Sequence, residues 1–186
     1  MRLPRTALIL AFAAAALAST QSAQAQCAPS YQCAGPSCWY ALLNNPSFND
    51  YSCNPNWVGA AIAPSSLCTD IWGRRYEAAH LNSANPSFSQ HFTVPNTPGL
   101  VPFSVSLVFG TTGSPSWWDR IIIELWESGI MRESISVRTD LGPFYCHRED
   151  FYFAGNYTGK SLDIRVRASV PTVGVEYQID SIQLFY

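Results

Sequence analysis

Charge, helical periodicity and catalytic signatures are what this sequence has least of. Asp, Glu, Lys and Arg make up only 13% of 186 residues. The basic residues are scattered, so no stripe exists that could neutralise a run of phosphates, and nucleic acid is excluded as a partner. There is no Gly-x-Ser-x-Gly elbow, no His-x-x-x-His zinc spacing and no Cys-x-x-Cys pair. The Glu-x-Asp-x-Glu spacing of concave-face jelly-roll glycosidases is also missing. Helix-period windows are absent apart from one short stretch, Arg74 to Leu81, that reads as a turn of helix.

What the chain does have begins with an export signal. Arg2 and Arg5 form a basic n-region, Ala7 to Leu17 a short apolar run, and Ala23-Gln24-Ala25 a small-residue cleavage site. The run is too short to span a bilayer and no second one follows, so membrane insertion is not expected. With residues 1–25 removed, nine basic residues face thirteen acidic ones, a net charge of −4. The expected product is a secreted or periplasmic monomer. Its six cysteines, Cys27, Cys33, Cys38, Cys53, Cys68 and Cys146, are an even set in an exported chain and read as disulfides of open connectivity. Residues 26–42 form a Cys-, Pro- and Ser-rich extension held by such bridges, and residues 43–186 a single domain.

Within that domain apolar residues recur with period two. Phe88, Phe92 and Val94 mark one strand, and Phe103, Val105, Leu107 and Phe109 a second. Ile121, Ile123 and Leu125 follow, then Ile135 with Val137, and Phe151 with Phe153. Leu162, Ile164, Val166 and Ala168 make another, whose opposite face is Asp163, Arg165 and Arg167. Pro, Gly, Asn and Ser fill the gaps, so the expected fold is all-β, two packed sheets. The last strand carries a local signal. Its apolar residues are odd-numbered from Val173 to Ile179 and even-numbered from Ile182 to Tyr186. That change of phase requires a bulge at Asp180, whose carboxylate then either caps a turn or ligates a metal.

Three segments, in order, resemble jelly-roll carbohydrate-binding modules of the galactose-binding-domain-like type. They are Leu43-Asn44-Asn45-Pro46-Ser47-Phe48-Asn49 followed by Trp57, Phe88 to Pro95 with Phe103 to Leu107, and Tyr177 to Leu184. The resemblance implies a jelly-roll β-sandwich of about eight strands with a short disulfide-rich N-terminal extension, and Trp57 in the core. It also implies one structural Ca2+ where the first and last strands meet, with Asp180 as ligand and Asn45 and Asn49 as partners. Pro46, Asn49 and Ser181 depart from the family's Gly, Glu and second Asp.

The function so implied is non-catalytic binding of a polysaccharide or cell-surface glycan. A pyranose offers an apolar C–H face to a Trp ring while amides, acids and Arg take its hydroxyls. Trp118, in a Gly/Ser/Pro loop beside Trp117, and Trp126, on the face of Glu124, are the candidate platforms. Glu124, Arg120 and Asn82 are the candidate hydrogen-bonding groups. Adjacent Trp117 and Trp118 point to opposite sides, so at most one of them is core. Two other readings remain open: an exported structural or protein-interaction β-domain, and a small glycoside hydrolase needing two carboxylates across a cleft.

Overall fold

The computed structural model describes residues 30–34, 37–43, 48, 57–69, 75–96, 103–140, 146–169 and 172–185. Eleven strands run in chain order: β1 Ser30–Ala34, β2 Ser37–Ala41, β3 Ile62–Thr69, β4 Arg75–Leu81, β5 Ser87–Thr93 and β6 Phe103–Thr112. There follow β7 Arg120–Glu127, β8 Ile130–Arg138, β9 His147–Phe153, β10 Ser161–Ser169 and β11 Glu176–Phe185. Among the described residues there is no helix. The jelly-roll sandwich expected from the motifs is the fold observed.

One sheet holds seven strands. β6 and β9 lie on one side of β11, while β4 with β3, and β2 with β1, lie on the other. The second sheet has four strands in the order β5-β10-β7-β8, and every pairing is antiparallel. The segment expected to form a helical turn is β4. It pairs with β3 and with Tyr177–Ile179 of β11, and these ladder bonds override its local helix propensity. β3 is a further strand without a clean alternation: its register with β4 slips between Pro64 and Thr69, since Pro has no N–H for the ladder.

The alternating apolar residues fill the space between the sheets. Val105, Leu107, Phe109, Tyr177, Ile179, Ile182 and Leu184 face Phe88, Ile121, Ile123, Leu125, Leu162, Ile164 and Val166, all of them buried. Each such side chain stabilises the fold by roughly 1.5–3 kcal/mol relative to exposure. Phe48, Trp57 and Phe88 close one end of this core, with ring centroids 5.3–5.7 Å apart, so Trp57 is core as its place in the motif implies.

Two local devices set the geometry of the four-stranded sheet. Ser128 and Gly129 both have positive φ (51° and 79°) between paired Glu127 and Ile130, the signature of a two-residue type I′ hairpin. Just beyond it, Leu125 faces Glu133 but Trp126 faces Met131, which leaves Arg132 as the extra residue of a bulge in β8. β11 has the bulge read from its sequence. Ile179 pairs with Phe109 and Ser181 with Val108, so Asp180 is the inserted residue. Of the cysteines, Cys68 and Cys146 are bridged. Cys33 and Cys38 stand opposite each other in the β1–β2 ladder, and Cys27 and Cys53 lie outside the described residues.

Candidate functional site

The outer face of the four-stranded sheet carries what its core face excludes. Read across β5, β10 and β7, its rows are His91–Asp163–Trp126, Ser89–Arg165–Glu124 and Ser87–Arg167–Ile122. A hollow of about 190 Å³ lies among Ser89, Trp126, Gly129, Asp163 and Arg165. The glycine of the hairpin leaves its rim without a side chain, and Trp126 forms one wall.

That tryptophan is held in place. Its indole N–H donates to Glu124 Oε2 at 2.9 Å, and Glu124 Oε1 accepts from Arg167 Nε at 2.6 Å. Glu124 is only 3% exposed, a buried charge that survives because both oxygens are engaged. So Glu124 and Trp126 do come together, with the carboxylate fixing the ring from behind. Of the groups beside the ring, Asp163 Oδ1 lies 2.9 Å from His91 Nδ1, and Arg165 donates to Ser87 Oγ at 3.3 Å. Arg165 forms no ion pair among the described residues, so its guanidinium can bond a ligand without breaking one. Sequence reasoning noted the Asp163, Arg165, Arg167 face without linking it to Trp126, because the register that joins them is a tertiary fact.

The remaining candidates lie elsewhere. Arg120 opens β7 six residues from Trp126, about 20 Å away at 3.3–3.4 Å per residue. It donates to the carbonyls of Trp117 (2.6 Å) and Asp119 (2.7 Å) and lies 3.7 Å from Asp140. Trp117 and Trp118 are 70% and 52% exposed, their rings edge to face at 5.4 Å. Neither is core. Their loop is fastened by buried Asp119, which accepts from Ser116 N, Thr172 N and Thr172 Oγ1. A Cβ on Gly113 would come within 2.6 Å of the Gly174 carbonyl, so the loop against it requires glycine there. Asn82 belongs to the other sheet. It follows β4, turns the chain through bonds to Ala84 N and Asn85 N, and donates to Glu176 Oε2 at 3.2 Å. No single monosaccharide could touch Trp126, Arg120 and Asn82 together.

Asp180 sits apart from both groups. As the extra residue of its bulge it points one carboxylate oxygen, Oδ1, into a buried position with no hydrogen-bond partner. Burial pushes its carboxyl up to about 6. A buried, unpartnered carboxylate oxygen suits a hard cation. Among the described residues no group of three or more His, Cys, Asp or Glu gathers there, and the expected partners Asn45 and Asn49 lie outside them.

No family model matches this chain. No curated protein sequence matches it either. Solved structures do. A Stig cyclase, Fisc from Fischerella sp. TAU, superposes with a TM-score of 0.50 at 12% identity, over 79% of this chain and 97% of that one. TmCBM61, solved in complex with beta-1,4-galactotriose, gives 0.49 at 17% identity over 78% and 97%. The carbohydrate-binding module CBM36, in complex with calcium and xylotriose, gives 0.35 at 9% identity over 67% and 92%. The likeness is one of fold. At 12% identity a shared fold does not carry a shared chemistry, so the chemistry must be argued from the side chains of this chain.

Proposed function

We propose that this protein is an exported, non-catalytic glycan-binding module whose site is the hollow beside Trp126. The observation that carries the reading is the pinned indole: a half-buried Trp fixed by Glu124, beside Asp163, Arg165 and Ser89. A pyranose stacked on that ring would meet an acceptor in Asp163 and donors in Arg165 and Ser89 for its hydroxyls. Sugar-bound neighbours of the same fold agree with this reading. The hollow is shallow and its outer-face charges are largely paired, which suits a neutral polyol better than a polyanion.

Hydrolysis is the weaker reading. Glu124 is enclosed by Trp126 and Arg167, and Glu127 is paired with Lys160 (2.8 Å) and Arg132 (2.9 Å), so neither is open to act as a general acid. The protein-interaction reading is favoured by one observation, the exposed Trp117, Trp118 and Val173 at the loop pole.

The test is affinity electrophoresis and a glycan array on the mature, disulfide-intact protein, with β-1,4-galactan, xylan and mixed-linkage glucan among the probes. Trp126→Ala should weaken binding at least tenfold, in keeping with the roughly 2 kcal/mol of a central aromatic anchor, and Arg165→Ala should weaken it less. Binding lost in Trp118→Ala but kept in Trp126→Ala would move the site to the loop pole. No binding to any probe would end the glycan reading. A structural calcium at Asp180 belongs to the same proposal, as a fastener of the last strand remote from the hollow.

A further inference from the structure

The opposite face of the sandwich holds a second hollow with the same chemistry. It measures about 370 Å³ and is lined by Ser104, Arg148, Asp150, Tyr152 and Phe185. These are the outward residues of β6, β9 and β11. Ser104 pairs with Tyr152 on one side and Phe185 on the other, while the alternate positions Val105, Phe153 and Leu184 are buried inside. Tyr152 is 68% exposed, an aromatic ring on the polar phase of its strand that the fold does not use for packing. Arg148 Nε donates to Asp150 Oδ1 at 3.1 Å, which cancels their charges and leaves a hollow suited to a neutral ligand.

Set beside the Trp126 hollow, the repetition is specific. Each hollow has a serine, an Asp and an Arg two residues apart on one strand, and an aromatic wall. Resting on the glycan reading of Trp126, we infer that the Tyr152 hollow is a second pyranose-binding site. One chain then grips two glycan segments on opposite faces. Two sheets pack about 10 Å apart and the hollows face away from each other, so one short oligosaccharide cannot fill both. A single copy of the protein therefore cross-links polysaccharide chains, and each site raises the effective concentration at the other on a polymeric ligand. Tyr is the thinner platform, so this is the weaker site.

The experiment compares the mature protein with Trp126→Ala, Tyr152→Ala, Asp150→Asn and the Trp126→Ala/Tyr152→Ala double variant. Calorimetry uses oligosaccharides of whichever probe polysaccharide binds, and turbidity uses the soluble polymer. The parent should bind two oligosaccharides per chain and precipitate the polymer. Either single Ala variant should bind one and leave the solution clear, and the double variant should bind none. Asp150→Asn keeps the ring and the fold and should weaken only the second site. The inference is overturned if Trp126→Ala removes all binding, or if Tyr152→Ala leaves stoichiometry and precipitation unchanged; in both cases the Trp126 reading stands. A parent that binds no probe would remove that reading and this inference with it.

Discussion

Asp180 is the residue whose chemistry is least comfortable in this fold. Its carboxyl titrates near 6 in the folded protein because burial disfavours the charged form, against about 3.9 in an unfolded chain. The folded state thus binds this proton more tightly. Its stabilising contribution is complete below about pH 4 and is lost as pH rises through 6. In chelator-treated protein, Asp180→Asn should therefore flatten the fall in stability between pH 4 and 6 and raise the melting temperature at pH 7.5. If the orphaned Oδ1 ligates calcium, adding the ion at pH 7.5 should raise the melting temperature of the parent and not of the variant. Equal shifts, or none, would leave Asp180 a strained bulge without a metal. The bulge itself was legible in the sequence, since one inserted residue must swap the faces of everything after it. The absence of a partner for Oδ1 was not, because it depends on which strands pack above it.

At the scale of elements, a clamp between β8 and the loop after β9 stands out. Glu133 accepts from Ala154 N (2.9 Å), Gly155 N (2.6 Å) and Tyr157 OH (2.6 Å). Burial alone would raise its carboxyl, but the three bonds outweigh that and hold it low. Burial and the same carboxylate push the Tyr157 phenol well above its ordinary range. Glu133→Ala should cost about 2 kcal/mol, or roughly 4–8 °C in melting temperature, and absorbance titration should show a phenol ionising at lower pH. An unchanged phenol titration would mean that burial, not the clamp, sets it. The strands at this scale were read from period two wherever one face is wet and the other dry. β4 escaped because it lies between β3 and β11 in the sheet, where Ala78 and Ala79 are both buried and the alternation vanishes. The β8 bulge escaped too: its polar face carries no phase to break.

For the molecule as a whole, the Cys68–Cys146 bridge is the longest constraint described. It joins residues 78 positions apart, tying β3 to the start of β9 across the seven-stranded sheet. On the chain-entropy account, removing it with Cys68→Ser/Cys146→Ser should cost up to about 4.5 kcal/mol, read as a lower denaturant midpoint. The glycan affinity proposed for Trp126 should change little, since its hollow belongs to the other sheet; a large loss there would couple the two sheets more tightly than the packing suggests. Composition and alternation by themselves determined that this is an all-β sandwich and that Asp180 interrupts the last strand, because burial on one face leaves a period in the sequence. They also placed Glu124 and Trp126 on one face, a same-strand relation that needs only the pleat. Only the tertiary structure decided which strands lie side by side. Register across β5, β10 and β7 brings Asp163, Arg165 and Ser89 to Trp126 and leaves Arg120 far along the strand, the split into two sheets separates Asn82 from it, and register across β9, β6 and β11 sets Tyr152 and Phe185 on either side of Ser104 on the far side; such long-range pairing leaves no local trace in the order of residues.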